Sequence, residues 1–187
     1  MDIVRAFIAI DLAPEIKERL QSLVGELRAA RADVRWIEAN GMHLTLKFLG
    51  EIDDDRALRV REALASAASR HHPFSLRLEG TGAFPTERSP RVLWAGCAAG
   101  PELAALQEDL ELALEAEGFE REARAFKPHL TLGRVKGPGR IDKAMAELAR
   151  HRDESFGAMT VGKIILFESL LRPQGAEYRS IAEAILS

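Results

Sequence analysis

One cysteine, one tyrosine and two tryptophans stand in a chain of 187 residues. The single thiol, Cys97, rules out a disulfide framework within the chain, and its place in the apolar run Val92 to Ala98 predicts a buried, inert side chain. Excess positive charge is missing as well. With 26 Lys and Arg against 29 Asp and Glu the net charge is −3, so capture of nucleic acid by a broad basic surface is excluded and any contact with it must be local. No segment reaches the roughly 20 apolar residues that cross a bilayer. The stretch Met1 to Phe7 lacks the basic start and long apolar run of an export signal, which predicts no membrane partner and a reducing, cytoplasmic setting. A Gly-x-Ser-x-Gly elbow is absent, which argues against a serine-type triad. What remains, at 47% hydrophobic and 29% charged residues, predicts a soluble globular protein with a real core.

Against these absences one pattern stands out. The tetrapeptide His-Leu-Thr-Leu occurs at His43 to Leu46 and again at His129 to Leu132. Each copy alternates polar and apolar, so in an extended strand His43 and Thr45 share one face, His129 and Thr131 another such face, and the leucines point the opposite way. The repeat is longer than the tetrapeptide: Pro14-Glu15-Ile16 opens a helical pattern ahead of the first copy and Pro101-Glu102-Leu103 opens one ahead of the second. Two strand-helix-strand units related by a pseudo-twofold would bring their central strands together across a cleft, which predicts a single domain, 1–187, built of two pseudo-symmetric lobes.

Around those units, periodicity and punctuation predict strands at Asp2 to Leu12, Val34 to Glu38 and His43 to Leu49, the last ending at Gly50, and helices at Pro14 to Arg28 and at Asp53 to Ser69, with Asp53 as cap. Strands at Phe74 to Gly80 and Arg91 to Ala98 are joined by a long loop from Gly82 to Pro90, long enough to suspect of function. A helix at Pro101 to Glu117 closes at Gly118, and a strand at His129 to Val135, a helix at Ile141 to His151 and strands at Phe156 to Leu171 and Tyr178 to Leu186 complete the chain.

Imidazole titrates near pH 6.5, so one ring can take a proton while the other gives one, with both steps between about pH 5 and 8. That is the pair in-line phosphoester cleavage needs, and threonine hydroxyls can donate to non-bridging phosphoryl oxygens. Zinc is the competitor, yet catalytic zinc takes three protein ligands, and neither motif carries an Asp or Glu in register. The expectation is no metal and no cofactor. His71-His72 before Pro73 reads as an exposed loop, and His151 as a favourable charge at a helix end. Trp36 and Trp94 read as core, and Phe48 as either core or a base-stacking aromatic. Lys47 has the parity to join His43 but is also plain strand-end charge, and Arg91, with Arg88, is either surface charge or a contact to RNA backbone.

The duplicated His-x-Thr-x signature resembles that of the 2H phosphoesterases. Further stretches are similar to the bacterial and archaeal branch called RNA 2′,3′-cyclic phosphodiesterase, historically 2′-5′ RNA ligase: His43 to Gly50, Phe84-Pro85 with Pro90 to Trp94, and Leu166 to Ser169 with Pro173, Gly175 and Tyr178. The resemblance implies a bilobal α+β fold, duplicated strand-helix-strand units with antiparallel sheets around a central groove that the four motif residues face. It implies metal-independent opening of a terminal 2′,3′-cyclic phosphate of RNA to a 2′-phosphate, and ATP-independent 2′-5′ joining. By the same resemblance His43 is the proton donor to the departing 3′ oxygen, His129 the proton acceptor that activates water, Thr45 and Thr131 hold the phosphoryl oxygens, and Arg134 meets the phosphate or its neighbour. Arg134 lies five positions from His129, so in a regular strand it points away from the groove, and only a bulge at Gly133 or the end of the strand brings it in. RNA ends, tRNA fragments or small nucleotides are the expected partners, and a monomer the expected state. Two alternatives stay open: a phosphodiesterase for small cyclic nucleotides, ADP-ribose cyclic phosphate or 2′-5′ oligonucleotides, and a non-catalytic RNA-binding module, which would not require both histidines.

Overall fold

In the computed structural model, which describes residues 3–173 and 175–187, the predicted helices form where punctuation and apolar spacing coincide. Pro14 and Pro101 occupy the first turns of α1 (Pro14–Arg28) and α3 (Pro101–Ala116), where a missing N–H costs nothing. Asp53 caps α2 (Asp54–Ala68) by accepting from the backbone N–H of Arg56 at 2.8 Å. Gly118 takes φ +82° just past α3, the left-handed stop its position predicts. α4 (Ile141–Arg150) completes the helices among the described residues.

The strands are β1 (Val4–Asp11), β2 (Val34–Trp36), β3 (His43–Ile52), β4 (Phe74–Pro85), β5 (Pro90–Ala99), β6 (His129–Val135), β7 (Ser155–Val161), β8 (Lys163–Arg172) and β9 (Gly175–Ile185). They build two antiparallel sheets, ordered β3-β1-β8-β9 and β2-β6-β5-β4-β7. Setting β3-β1-β8-β9 beside β6-β5-β4-β7 matches the two halves strand for strand, with each motif strand beside the strand that opens its unit. The fold is therefore α+β, with two antiparallel sheets of matching order.

The halves are interlaced. α1 leaves the first sheet after β1 but packs against β7 of the second sheet and against α4, whereas α3 leaves the second sheet after β5 and packs against β3 of the first and against α2. β2 likewise precedes β3 in the chain yet hydrogen-bonds to β6 of the other sheet. One connected apolar core results, with Ile8 and Leu44 from the first sheet, Leu78 and Leu132 from the second, and Leu20, Leu64 and Leu106 from the helices. α1 alone buries Ile16, Leu20, Leu23, Val24 and Leu27. At about 1.5–3 kcal/mol per buried side chain, this packing rather than propensity holds the helix in place.

Several boundaries differ from expectation: β2 stops at Trp36, β3 runs through Gly50 to Ile52, and β9 begins at Gly175 rather than Tyr178. The strand read from Asp2 begins at Val4, Asp2 itself lying outside the described residues. The supposed loop from Gly82 to Pro90 is mostly strand, because β4 continues to Pro85 and pairs with β5 as far as Pro90, leaving only Thr86 to Ser89 as the connection. Gly82 is not there for flexibility: a Cβ on it would stand 2.3 Å from the Trp94 ring, so the absence of a side chain makes room for the indole. The long strand read from Phe156 to Leu171 is two strands that part at Gly162, β7 in one sheet and β8 in the other.

Candidate active site

The face carried by each motif follows from the pairing register. Along β1, Phe7, Ala9 and Asp11 alternate onto one face and stand opposite Phe48, Thr45 and His43 of β3. Thr45 pairs with Ala9 and Lys47 with Ile8, so two steps on β3 match one on β1 and Leu46 is the extra residue of a β-bulge. After the bulge the alternation is inverted: Leu46 and Lys47 are both buried, and Phe48, 66% exposed, emerges on the face of His43. The second copy repeats this. Val92, Trp94 and Gly96 of β5 stand opposite Arg134, Thr131 and His129, and Leu132 is the extra residue. Leu132 and Gly133 are both buried, and Arg134 emerges, exposed, on the face of His129. The bulge a regular strand lacks is thus present, and Arg134 joins the motif face. Position 48 in the first unit corresponds to position 134 in the second.

β3 and β6 approach with Cα atoms within 8 Å of one another. Their four motif side chains are half-buried, while Leu44, Leu46, Leu130 and Leu132 fill the core behind them. The first histidine is sunk among aromatics that its motif does not announce. Its ring stacks on Phe7 at 4.6 Å between centroids, lies 6.0 Å from Phe167 and meets the edge of Tyr178 at 5.1 Å. Burial lowers His43 to about 4, opposed by the nearby Asp11 carboxylate and reinforced by Lys17, which is 2.6 Å from Asp11. His129 is held differently. Its Nδ1–H donates to the backbone carbonyl of Lys127 at 2.6 Å, and since a carbonyl only accepts, Nε2 of the neutral ring is left with the lone pair. Phe84 meets His129 edge-on at 4.9 Å and packs on Trp94 at 5.3 Å.

Two residues expected to touch a ligand sit elsewhere. Lys47 has lost its parity to the bulge and points into the core, where its Nζ lies 2.7 Å from Glu111 Oε2 and 2.5 Å from the carbonyl oxygen of Glu120; the Lys47 and Glu111 side chains are each less than a tenth exposed. It is a structural charge pair between β3 and α3. Arg91 precedes Val92, whose side chain is on the motif face, so alternation puts Arg91 on the far face. Arg35, which the sequence did not single out, lies directly opposite Arg134 on β2. The signal for it is only the short strand Val34 to Trp36, whose pairing partner is invisible without the fold.

The remaining histidines are engaged. His71 bonds Asp109 at 2.8 Å, which holds that carboxyl below its ordinary range, and His72 bonds the backbone of Ser187. His151 caps α4; burial pulls its ring down, but Glu154, Glu26 and Glu147 outweigh that and raise it. Glu26, Glu147 and His151 bring ligand atoms within 4.8 Å of one another, the one grouping of three metal-capable side chains among the described residues. It lies between α1 and α4 and contains neither motif histidine. A cavity of about 370 Å³ at the ends of β1, β7 and β8, lined by Ile10, Asp11, Met159, Lys163 and Ile185, contains none of the four motif residues.

Two sheets of matching strand order that each carry a His-x-Thr copy mark a phosphoesterase of the duplicated-histidine class, and the chain belongs to the LigT-like phosphoesterase family, which it matches over residues 10–94 and 97–178. It is 36% identical over 178 residues to the RNA 2′,3′-cyclic phosphodiesterase of Archaeoglobus fulgidus, covering 95% of this chain and 97% of that one, and 33% identical over 175 residues to that of Methanothermobacter thermautotrophicus, covering 94% and 95%. Among solved structures it is similar to a protein of Thermus thermophilus, with a TM-score of 0.81, 30% identity and 97% of each chain covered. It is also similar to E. coli LigT complexed with 3′-AMP, with a TM-score of 0.74, 27% identity and 100% and 99% covered. No helix among the described residues is long and apolar enough to cross a membrane.

Proposed function

We propose that this protein opens the terminal 2′,3′-cyclic phosphate of RNA to a 2′-phosphate, with the two motif histidines as acid and base and without a metal. The observation that carries the reading is the pair of His-x-Thr faces on adjoining strands, in a chain similar over nearly its whole length to proteins named for that activity. His129, whose Nδ1–H is committed to Lys127, takes a proton from water at Nε2. The water oxygen attacks phosphorus, the bond from phosphorus to the 3′ oxygen breaks in line with it, and His43 delivers a proton to that oxygen. Thr45 and Thr131 donate to the non-bridging oxygens, and the protonated His43 ring offsets their charge. An RNA 5′-hydroxyl in place of water would form a 2′-5′ linkage with no ATP, since the cyclic ester supplies the leaving group. One chain carries every group the reaction needs, so a monomer suffices.

The test is to incubate the protein with RNA ending in a 2′,3′-cyclic phosphate, with and without EDTA, and to identify the product end. A 2′-phosphate in both arms is expected. A 3′-phosphate product or no turnover would reject the reaction, and loss on chelation with rescue by zinc would reject the metal-free mechanism. His43→Ala and His129→Ala should each lower turnover by at least about 10², the low end of what positioned proton transfer supplies; near-normal rates from either folded variant would remove the histidines from the chemistry.

A further inference from the structure

Arg35 and Arg134 are Cα partners across β2 and β6, and partners in a ladder project to the same face. That face is the one of His129 and Thr131, because Arg134 stands opposite Val92 in the unbroken alternation Val92, Trp94, Gly96. Both arginines are exposed, and among the described residues neither forms an ion pair or a side-chain hydrogen bond. Like charges directly opposite one another are destabilising unless an anion lies between them. Every other residue of β2 is used in packing: Val34 and Trp36 cover Gly133, where a Cβ would stand 2.6 and 2.8 Å from them. The first sheet has no counterpart among the described residues, since β3 is its edge strand and no further strand pairs with it beside Phe48.

Resting on the proposed RNA-end reaction, we propose that Arg35 and Arg134 form a second phosphate-binding pair that receives a backbone phosphodiester beyond the reacting one, so that the enzyme selects polynucleotide ends over cyclic mononucleotides. Thr131 and Arg134 are two effective strand steps apart across the bulge, roughly 7 Å, which separates the pair from the groups that hold the reacting phosphorus. A guanidinium fork from each side suits an anion with two free oxygens. Arg35 comes from a strand that the chain exchanges between sheets, and it is a specificity residue that makes no contact with the reacting atoms.

The test compares kcat/KM for a short oligoribonucleotide ending in a 2′,3′-cyclic phosphate with kcat/KM for a 2′,3′-cyclic mononucleotide, each over a series of salt concentrations, in the full-length protein and in Arg35→Gln and Arg35→Lys. The wild type is expected to prefer the oligonucleotide. Arg35→Gln should lower that preference by about three- to tenfold and reduce the salt slope for the oligonucleotide by about one, while Arg35→Lys keeps most of the slope because the charge remains. Equal preference in the wild type, or an Arg35→Gln variant with unchanged preference and slope, overturns the proposal while leaving the RNA-end reaction standing. If the wild type opens neither substrate, the underlying reaction itself fails.

Discussion

A histidine walled in by Phe7, Phe167 and Tyr178 has a consequence for both rate and stability. With His43 at about 4 in the free enzyme, only a small fraction of molecules hold its proton at neutral pH, and the proposed donor role would be filled from that minority state. The acidic limb of kcat/KM, which reports the free enzyme, should therefore fall near pH 4, below the window of 5 to 8 that an unperturbed imidazole suggests. In kcat the limb should move up, because bound phosphate favours the imidazolium. An acidic limb near 6.5 that is the same in both parameters would contradict this. The same shift acts on folding. The unfolded chain takes up the proton near pH 6.5 and the folded one only near 4, so the stability that neutral His43 contributes is complete above pH 6.5 and is lost as pH falls from 6.5 to about 4. The loss is about 3 kcal/mol. Urea unfolding of the wild type should weaken by that much more than unfolding of His43→Phe between pH 7 and 4, and parallel curves would refute it.

At the scale of single elements, the two bulges decide which side chains matter. Lys47 is the instructive case, since simple alternation aims it at the ligand and the bulge at Leu46 sends it to Glu111 instead. Removing one partner of a buried ion pair strands the other, so Lys47→Ala should cost about 3 kcal/mol or more of stability. Its kcat/KM, measured well below the melting temperature, should stay within about twofold of wild type, because the ammonium makes no contact on the motif face; a loss of 10² with the fold intact would return Lys47 to the site. The motif strands, all four helices and the Asp53 cap were legible because each rests on local spacing or on a capping residue. The bulges were not, as an extra residue is defined only against a partner strand, and neither was Arg35, which owes its place to a pairing between distant segments. The length of β4 was hidden by glycine and proline that read as loop but serve Trp94 packing and strand ends.

For the whole molecule, the exchange of α1 and α3 between sheets means that each sheet takes part of its cover from the other unit. A fragment ending after the first repeat would expose the face of β3 that α3 packs on and leave α1 without β7 and α4. Residues 1–88 expressed alone should therefore show no cooperative thermal unfolding, whereas mixing them with residues 89–187 should restore it. A cooperative transition in the isolated fragment would show that the repeats are independent folding units.

Duplication also leaves an ambiguity that the fold resolves. Two His-x-Thr pairs of identical sequence have no direction of their own, and a phosphodiester turned end for end would meet the same four residue types. Direction enters at the first motif-face residue after each bulge, an apolar ring at Phe48 and a cation at Arg134. A nucleotide chain, with a flat base to one side of its phosphorus and further negative charge along its backbone, is itself directional. On the proposed reaction, the divergence of one equivalent position would turn a symmetric pair into an oriented clamp, and that orientation, added to the difference between the imidazoles, would fix which histidine meets the departing oxygen.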